Sequence, residues 1–207
     1  MATLGFLRRD FEVFAIEDFS ARLAKIDELV TPRLMRLALE FSGELSRNFR
    51  MDFFPHIARH IRRAANPPGE TWVAFGPSKV GYKRHGYLAL CVSGVGIHAR
   101  VIVETDADKR SEMARAIKSK SADLQKSFRG TRIQQYRNWD CRELPRSSTA
   151  GADFFDGLAD ALAKKSGGID VGFGWLVRDA LTIDRAEVLD AFRELQPLYL
   201  LVQSVAS

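Results

Sequence analysis

The sequence contains few cysteines and no long apolar run, and both absences restrict the class of protein. The two cysteines, Cys91 and Cys141, lie far apart and form no Cys-x-x-Cys pair, so their spacing gives no zinc or redox signature. We expect both thiols to be reduced, as in cytosolic proteins. The longest apolar runs, residues 87–92 and 198–202, are too short to span a bilayer, and residues 1–10 lack the apolar stretch of a secretory signal. These features predict a soluble, cytoplasmic protein with no membrane contact.

Common catalytic and nucleotide-binding motifs are also missing. Gly76 and Gly81 have the spacing of a P-loop, but Lys83 comes one position late and no Ser or Thr follows it. The glycine pairs that begin at Gly94 and Gly172 lack the third glycine of a dinucleotide-binding fingerprint. No Gly-x-Ser-x-Gly sequence occurs, which argues against a serine hydrolase of that type. We therefore expect neither a P-loop nor a dinucleotide-binding fold, and no resident cofactor.

The length and composition predict one domain over residues 1–207. The chain has 207 residues, of which 46% are hydrophobic and 28% charged, and both values are ordinary for a globular protein. A chain of this length can bury roughly 70% of the surface that its unfolded form exposes. It therefore needs neither a disulfide nor a metal ion in order to fold.

The first third of the chain has helical periodicity. Apolar residues recur at spacings of three and four over residues 19–30 and again over residues 34–45. Thr31, which a proline follows, predicts an N-cap between these two helices. A third helix is predicted over residues 53–64, where the Asn-Pro-Pro-Gly run at residues 66–69 would end it.

After residue 70 the pattern changes to that of strands. Strands are predicted over residues 71–76, 86–92 and 97–105. The first two are expected to be buried neighbours in the sheet, with Trp72 mostly out of solvent. The short turns between them favour antiparallel pairing. Helices are then predicted over residues 108–129 and 152–165, strands over residues 131–139 and 169–178, and a last helix with a capping box of Asp184 and Glu187. This order predicts an α+β fold with a mixed, largely antiparallel sheet covered by helices.

The positive charge of the chain is confined to one segment. The net charge is +5, yet residues 50–103 contain eight Lys and Arg against two acids, while the remainder has 23 against 24. All four histidines, His56, His60, His85 and His98, lie in this segment as well. A mildly basic balance permits binding of anionic ligands or nucleic acid without establishing it.

On the predicted helix over residues 53–64, His56, His60 and Arg63 would share one face. A metal site is disfavoured because zinc normally needs a third protein ligand and the neighbouring arginines repel cations. Arginine and lysine match phosphate or carboxylate oxygens better, and tyrosine can stack beside them. The site predicted for a small anionic ligand comprises His56, Arg59, His60, Arg63, Lys79, Tyr82 and Lys83.

Three alternatives to this site remain open. The basic residues can form a face that is only solvated, as charged helix faces usually are. The same surface can bind nucleic acid, although long basic runs are lacking. A histidine can also act as general acid–base in an enzyme, because its side chain titrates near neutral pH, but no carboxylate partner is visible locally.

Several motifs together resemble the bacterial family of uncharacterised proteins typified by YktB. They are the stretches at residues 11–14, 56–63 and 66–75, the Gly-Tyr-Lys at residues 81–83, and the Gln-Pro-Leu-Tyr at residues 196–199. The resemblance is clear over the first half of the chain and implies a compact bacterial α/β domain with a large mixed sheet. It implies no activity. The chain departs from the family pattern after Lys83, where Arg84-His85-Gly86-Tyr87 stands in place of Pro-His-Phe.

Overall fold

A sheet of seven strands with helices on one face makes up the computed structural model, which describes residues 3–60 and 66–205. The strands are β1 (Phe54–Ile57), β2 (Glu70–Gly76), β3 (Gly86–Ser93), β4 (Gly96–Val103), β5 (Arg132–Gln135), β6 (Ser148–Thr149) and β7 (Ile169–Leu176). Their order in the sheet is β1-β2-β3-β4-β7-β5-β6, and every described pair is antiparallel. The α+β fold predicted from the sequence is confirmed.

Along the chain, helices occur before, between and after the strands. They are α1 (Arg8–Glu12), α2 (Phe19–Lys25), α3 (Thr31–Phe49), α4 (Arg110–Ser119), α5 (Ser121–Ser127), α6 (Ala152–Ala163), α7 (Val177–Ala180) and α8 (Arg185–Ser204). Within the described parts of the chain, no helix combines the length and the apolar character that crossing a bilayer requires.

The two faces of the sheet have different surroundings, because side chains alternate along each strand. One face carries apolar residues such as Val73, Leu90 and Val101, which pack in one cluster with the apolar stripes of α3 and α8. The opposite face, called here the open face, has a smaller cluster, and none of its described members lies in a helix. That cluster consists of Ala74, Tyr87, Ala89, Cys91 and Ile102, with Trp72 and Tyr82 packed against it.

The helix predicted over residues 53–64 is wrong for its first part, which forms strand β1. Pro55 cannot donate a backbone hydrogen bond, and it is tolerated here because β1 is the edge strand of the sheet. His56 pairs with Ala74 of β2, and His60 has a left-handed backbone with φ of 50°. Residues 61–65 lie outside the described residues.

Two further predictions at helix boundaries are corrected. Thr31 does not cap a new helix, because a π-helical turn over Ile26–Val30 joins α2 to α3 without a break. The helix predicted over residues 108–129 is divided at Lys120 into α4 and α5. At α8, Asp184 caps the Ala186 amide as predicted, whereas the carboxylate of Glu187 accepts from the indole of Trp175.

The predicted pairing in the centre of the sheet is confirmed. β2 and β3 are neighbours, and each is flanked by another strand, so neither lies at an edge. Every residue of β3 is buried, while Trp72 of β2 is half-buried on the open face.

Candidate functional site

The predicted ligand-binding residues lie at the β1 edge of the sheet and not on a helix. His56 stands on β1, and its Nε2 is 2.8 Å from the carbonyl oxygen of Ser78, to which it donates. Its ring lies 5.3 Å from that of Tyr82. The loop between β2 and β3, residues 77–85, therefore lies against β1 and brings Tyr82 to the histidine.

An aromatic row continues from Tyr82 over the open face. The indole nitrogen of Trp72 donates to the Tyr82 hydroxyl at 3.2 Å, and the ring of His60 lies 5.4 Å from that of Trp72. Tyr82 also packs edge-on against Tyr87, at 4.7 Å between ring centroids. The row therefore connects the predicted site with the centre of the sheet.

The three predicted cations that the structure describes are exposed. Lys79 lies with its ammonium 5.3 Å from the ring of Phe54, and Arg59 and Lys83 extend from the segments on either side. Arg63 lies outside the described residues. The structure therefore brings His56, Lys79 and Tyr82 to one edge, whereas the shared helical face predicted for His56 and His60 does not exist.

A cleft that the sequence reasoning missed lies on the open face, with a volume of about 380 Å³. Its lining combines carboxylates and aromatic rings, among them Glu70, Trp72, Tyr87, Glu104, Tyr136, Trp139 and Asp170. The segment after β5 forms one wall, since it carries Tyr136, Arg137, Asn138 and Trp139. The aromatic row reaches the cleft at Trp72 and Tyr87.

Arg100 organises the charges at this cleft. Its side chain is only 1% exposed, and its guanidinium reaches Glu70 at 2.5 Å and Asp170 at 2.9 Å. The guanidinium also lies 4.8 Å from the ring of Tyr136, and its Nε donates to the sulfur of Cys91. A buried cation of this kind requires such partners, because burial without them costs several kcal/mol.

Two carboxylates share the single guanidinium, and this affects their protonation. Burial raises the pKa of Asp170 to about 7; Arg100 acts in the opposite direction, and the charges of Glu70 and Glu104 add to the rise. Oδ1 of Asp170 is buried and has no hydrogen-bond partner among the described residues. The carboxylate therefore retains an acceptor that is not used within the protein.

The wall formed after β5 packs on a buried histidine. His98 is fully buried, lies 5.2 Å from the ring of Tyr136 and 4.9 Å from that of Trp139, and is hydrogen bonded through Nε2 to Ser93. Gly174 makes this packing possible, since a Cβ there would lie 2.9 Å from Nδ1 of His98. Burial lowers the pKa of His98 well below its ordinary value, and the charge of Arg100 adds to this effect.

A second cleft, of about 520 Å³, lies between the first helix and the segment around Cys141. Arg22 in its lining donates to the carbonyl oxygens of Ile16 and Pro68. That guanidinium therefore holds two chain segments together. Neither cleft is lined by the described members of the predicted anion site.

The sequence contained one signal for the missed cleft. Arg100 and Asp170 stand in strands that are mostly apolar, and charged residues are almost never fully buried unless they are paired. The partner of each could not be read from the sequence, because the two residues are brought together only by the pairing of β4 with β7. Among the residues described, no three His, Cys, Asp or Glu side chains are grouped as metal ligands would be.

Comparison with known proteins decides the family. The model of a family described as a domain of unknown function (DUF1054) matches residues 6–199. The chain belongs to this family. The resemblance to the YktB-like family drawn from the sequence motifs is thereby confirmed.

The similarity to individual relatives extends over different lengths of the chain. A UPF0637 protein of Bacillus velezensis is 30% identical over 220 aligned residues, which cover all of both chains. A UPF0637 protein of Macrococcus caseolyticus is 42% identical over 83 residues, or 40% of this chain and 41% of its own. One of Exiguobacterium sibiricum is 41% identical over 86 residues, or 42% and 43% of the two chains. These names state no activity.

Proposed function

We propose that the chain binds a small anionic ligand, bearing phosphate or carboxylate, at the β1 edge of the sheet. The observation that supports this proposal is the set of exposed cations Arg59, Lys79 and Lys83, for which the described residues provide no carboxylate partner. Arg84 in the same loop differs, since it is paired with Asp108 at 2.7 Å. Cations that are not paired within the protein are available to an external anion.

His56 and Tyr82 would supply the orienting contacts. The Ser78 carbonyl accepts from Nε2 of His56, so the neutral ring keeps Nδ1 as an acceptor and the protonated ring offers it as a donor. The tilted rings of His56 and Tyr82 give a planar group of the ligand an aromatic surface.

Binding of nucleic acid by the same edge is a second candidate. The loop over residues 77–85 projects into solvent, with Val80 98% exposed, and an exposed basic loop suits a polymer backbone as well as a small ligand. The two candidates differ in salt dependence. A polymer that contacts several phosphates loses affinity steeply with salt, with a slope of about −0.9 per contact on duplex DNA.

Thermal unfolding with a panel of ligands tests the proposal. At about 0.15 M salt, AMP, ATP, inorganic phosphate or citrate should raise the melting temperature through preferential binding to the folded state. The double change Lys79→Ala and Lys83→Ala should abolish the rise, while Lys126→Ala, an exposed lysine on α5, should preserve it. Absence of stabilisation by the whole panel would rule out the small-ligand proposal. Tight binding of a 20-mer with a steep salt slope would replace it with the nucleic-acid candidate.

A further inference from the structure

We infer that the open-face cleft is a second binding site, which takes a planar organic cation of the guanidinium or amidinium class. Its chemistry differs from that proposed for the β1 edge, and the inference does not depend on the edge site. It rests on the hydrogen-bond acceptors, the aromatic surfaces and the charge of the cleft.

The cleft offers acceptors whose hydrogen-bonding capacity is not filled within the protein. Asp170 directs one oxygen to Arg100, while its buried Oδ1 has no partner among the described residues. Glu104 accepts the Tyr87 hydroxyl on Oε1 at 2.8 Å, and a carboxylate can accept further bonds on its other oxygen. A ligand with several N–H donors would bond to the remaining oxygen of Glu104 and lie over the partly exposed carboxylate of Asp170, whose Oδ1 itself lies below the surface of the cleft.

The arginines near the cleft are held by partners within the protein and do not compete with a cationic ligand for the free carboxylate oxygens. Arg100 is buried beneath the carboxylates, and Arg137 donates to the carbonyl oxygens of Gly168 and Ser166. Three carboxylates and two guanidinium groups leave a formal charge of −1 when all are ionised. One positive charge on a ligand neutralises this excess.

Arg100 shows how these walls accommodate a guanidinium. The protein's own group contacts two carboxylates, and its carbon lies 4.8 Å from the centre of the Tyr136 ring. Trp72 and Trp139 are half-buried, so they leave aromatic surface in the cleft. Aromatic faces attract organic cations, and the attraction increases when water is excluded.

Benzamidine and its neutral analogue benzamide provide the decisive comparison. We expect benzamidine, titrated into ¹⁵N-labelled protein, to shift the indole resonances of Trp72 and Trp139 saturably, while equal concentrations of benzamide leave them unchanged. Because Asp170 binds a cation only in its ionised form, benzamidine should bind several-fold more tightly at pH 8 than at pH 6. Arg100 favours the ionised form of this carboxylate, whereas Glu70 and Glu104 oppose it. Burial raises the pKa of Tyr136, so this neighbour is neutral at both pH values.

Glu104→Gln should lower the affinity for benzamidine at least fivefold, since it removes a charge but preserves an acceptor for the Tyr87 hydroxyl. The control Glu17→Gln removes an exposed carboxylate outside the cleft and should have no effect. Equal binding of benzamide, unchanged affinity in Glu104→Gln, or indole shifts produced by inorganic phosphate instead of benzamidine would each overturn the inference. The indole spectrum of each variant without ligand establishes that the variant is folded. Asp170→Asn is an independent variant, and it should show the same loss of affinity for benzamidine.

Discussion

Arg100 Nη1 lies 2.9 Å from Oδ2 of Asp170 on the neighbouring strand, and the two residues are separated by 70 positions in the chain. The ion pair forms the base of the open-face cleft and holds the last long strand of the sheet to the central ones. Because the pair is buried and joins two neighbouring strands, its loss should lower the stability of the fold.

Replacing Arg100 with methionine should be strongly destabilising. The change leaves the carboxylates of Glu70 and Asp170 without their shared cation, and breaking a buried ion pair typically costs about 3–5 kcal/mol. Urea denaturation at pH 7 measures the free energy of unfolding. The matched change Arg84→Met removes an exposed pair with Asp108 and should cost far less, because solvent screens that pair. Equal losses of unfolding free energy in the two variants would contradict the conclusion that the Arg100 pair is buried and stabilising.

Asp170 should retain its proton up to nearly neutral pH. Because its pKa in the fold is about 7, the folded chain holds a proton that the unfolded chain releases near pH 4. The contribution of Asp170 to the free energy of unfolding therefore falls as pH rises from about 4 to 7, by at most about 1.4 kcal/mol per pH unit. Carboxyl ¹³C resonances should show a midpoint near pH 7 for Asp170. A midpoint below pH 5 would exclude this behaviour.

His98 should affect stability in the opposite sense. Its pKa in the fold is lowered, so the unfolded chain binds a proton that the folded chain does not, and stability rises as pH increases toward about 6.5. The ring resonances of His98 should show no titration between pH 5 and 8. In denaturation curves measured over this range, His98→Gln should lose this rise. A full titration of His98 near pH 6.5 would show that its burial does not suppress protonation.

Gly174→Ala should displace the wall of the cleft. The new methyl group would lie 2.8 Å from a methyl carbon of Leu144 and 2.9 Å from Nδ1 of His98. Overpacking of this kind costs about 1–3 kcal/mol, and the fluorescence of Trp139 should change with it. Gly157→Ala is the control, since nothing lies within 4 Å of its Cβ and helix α6 should gain a few tenths to 1 kcal/mol. Equal stability of the two variants would indicate that the wall is not packed as described.

Local patterns in the sequence determined the central strands and most helices. The apolar runs of β2 and β3 and the short turns beside them predicted neighbouring antiparallel strands without reference to any distant residue. The helix predicted from residue 53 onward is wrong over Phe54–Ile57, because periodicity cannot distinguish a short helix from an edge strand. The pairing of His56 with Ala74 decides that question, and it is a tertiary contact.

The sequence also located the basic segment and the family motifs, because charge and motif are properties of adjacent residues. Only the tertiary structure placed His56 beside Tyr82 and assembled Glu70, Arg100 and Asp170 at one cleft. Apart from Tyr82, which lies in the loop between β2 and β3, these residues stand on different strands, and strand order and register are set by the packing of the whole sheet on its helices. Sequence patterns fix which face of a strand is apolar, whereas the partners of a buried charge depend on contacts between segments far apart in the chain.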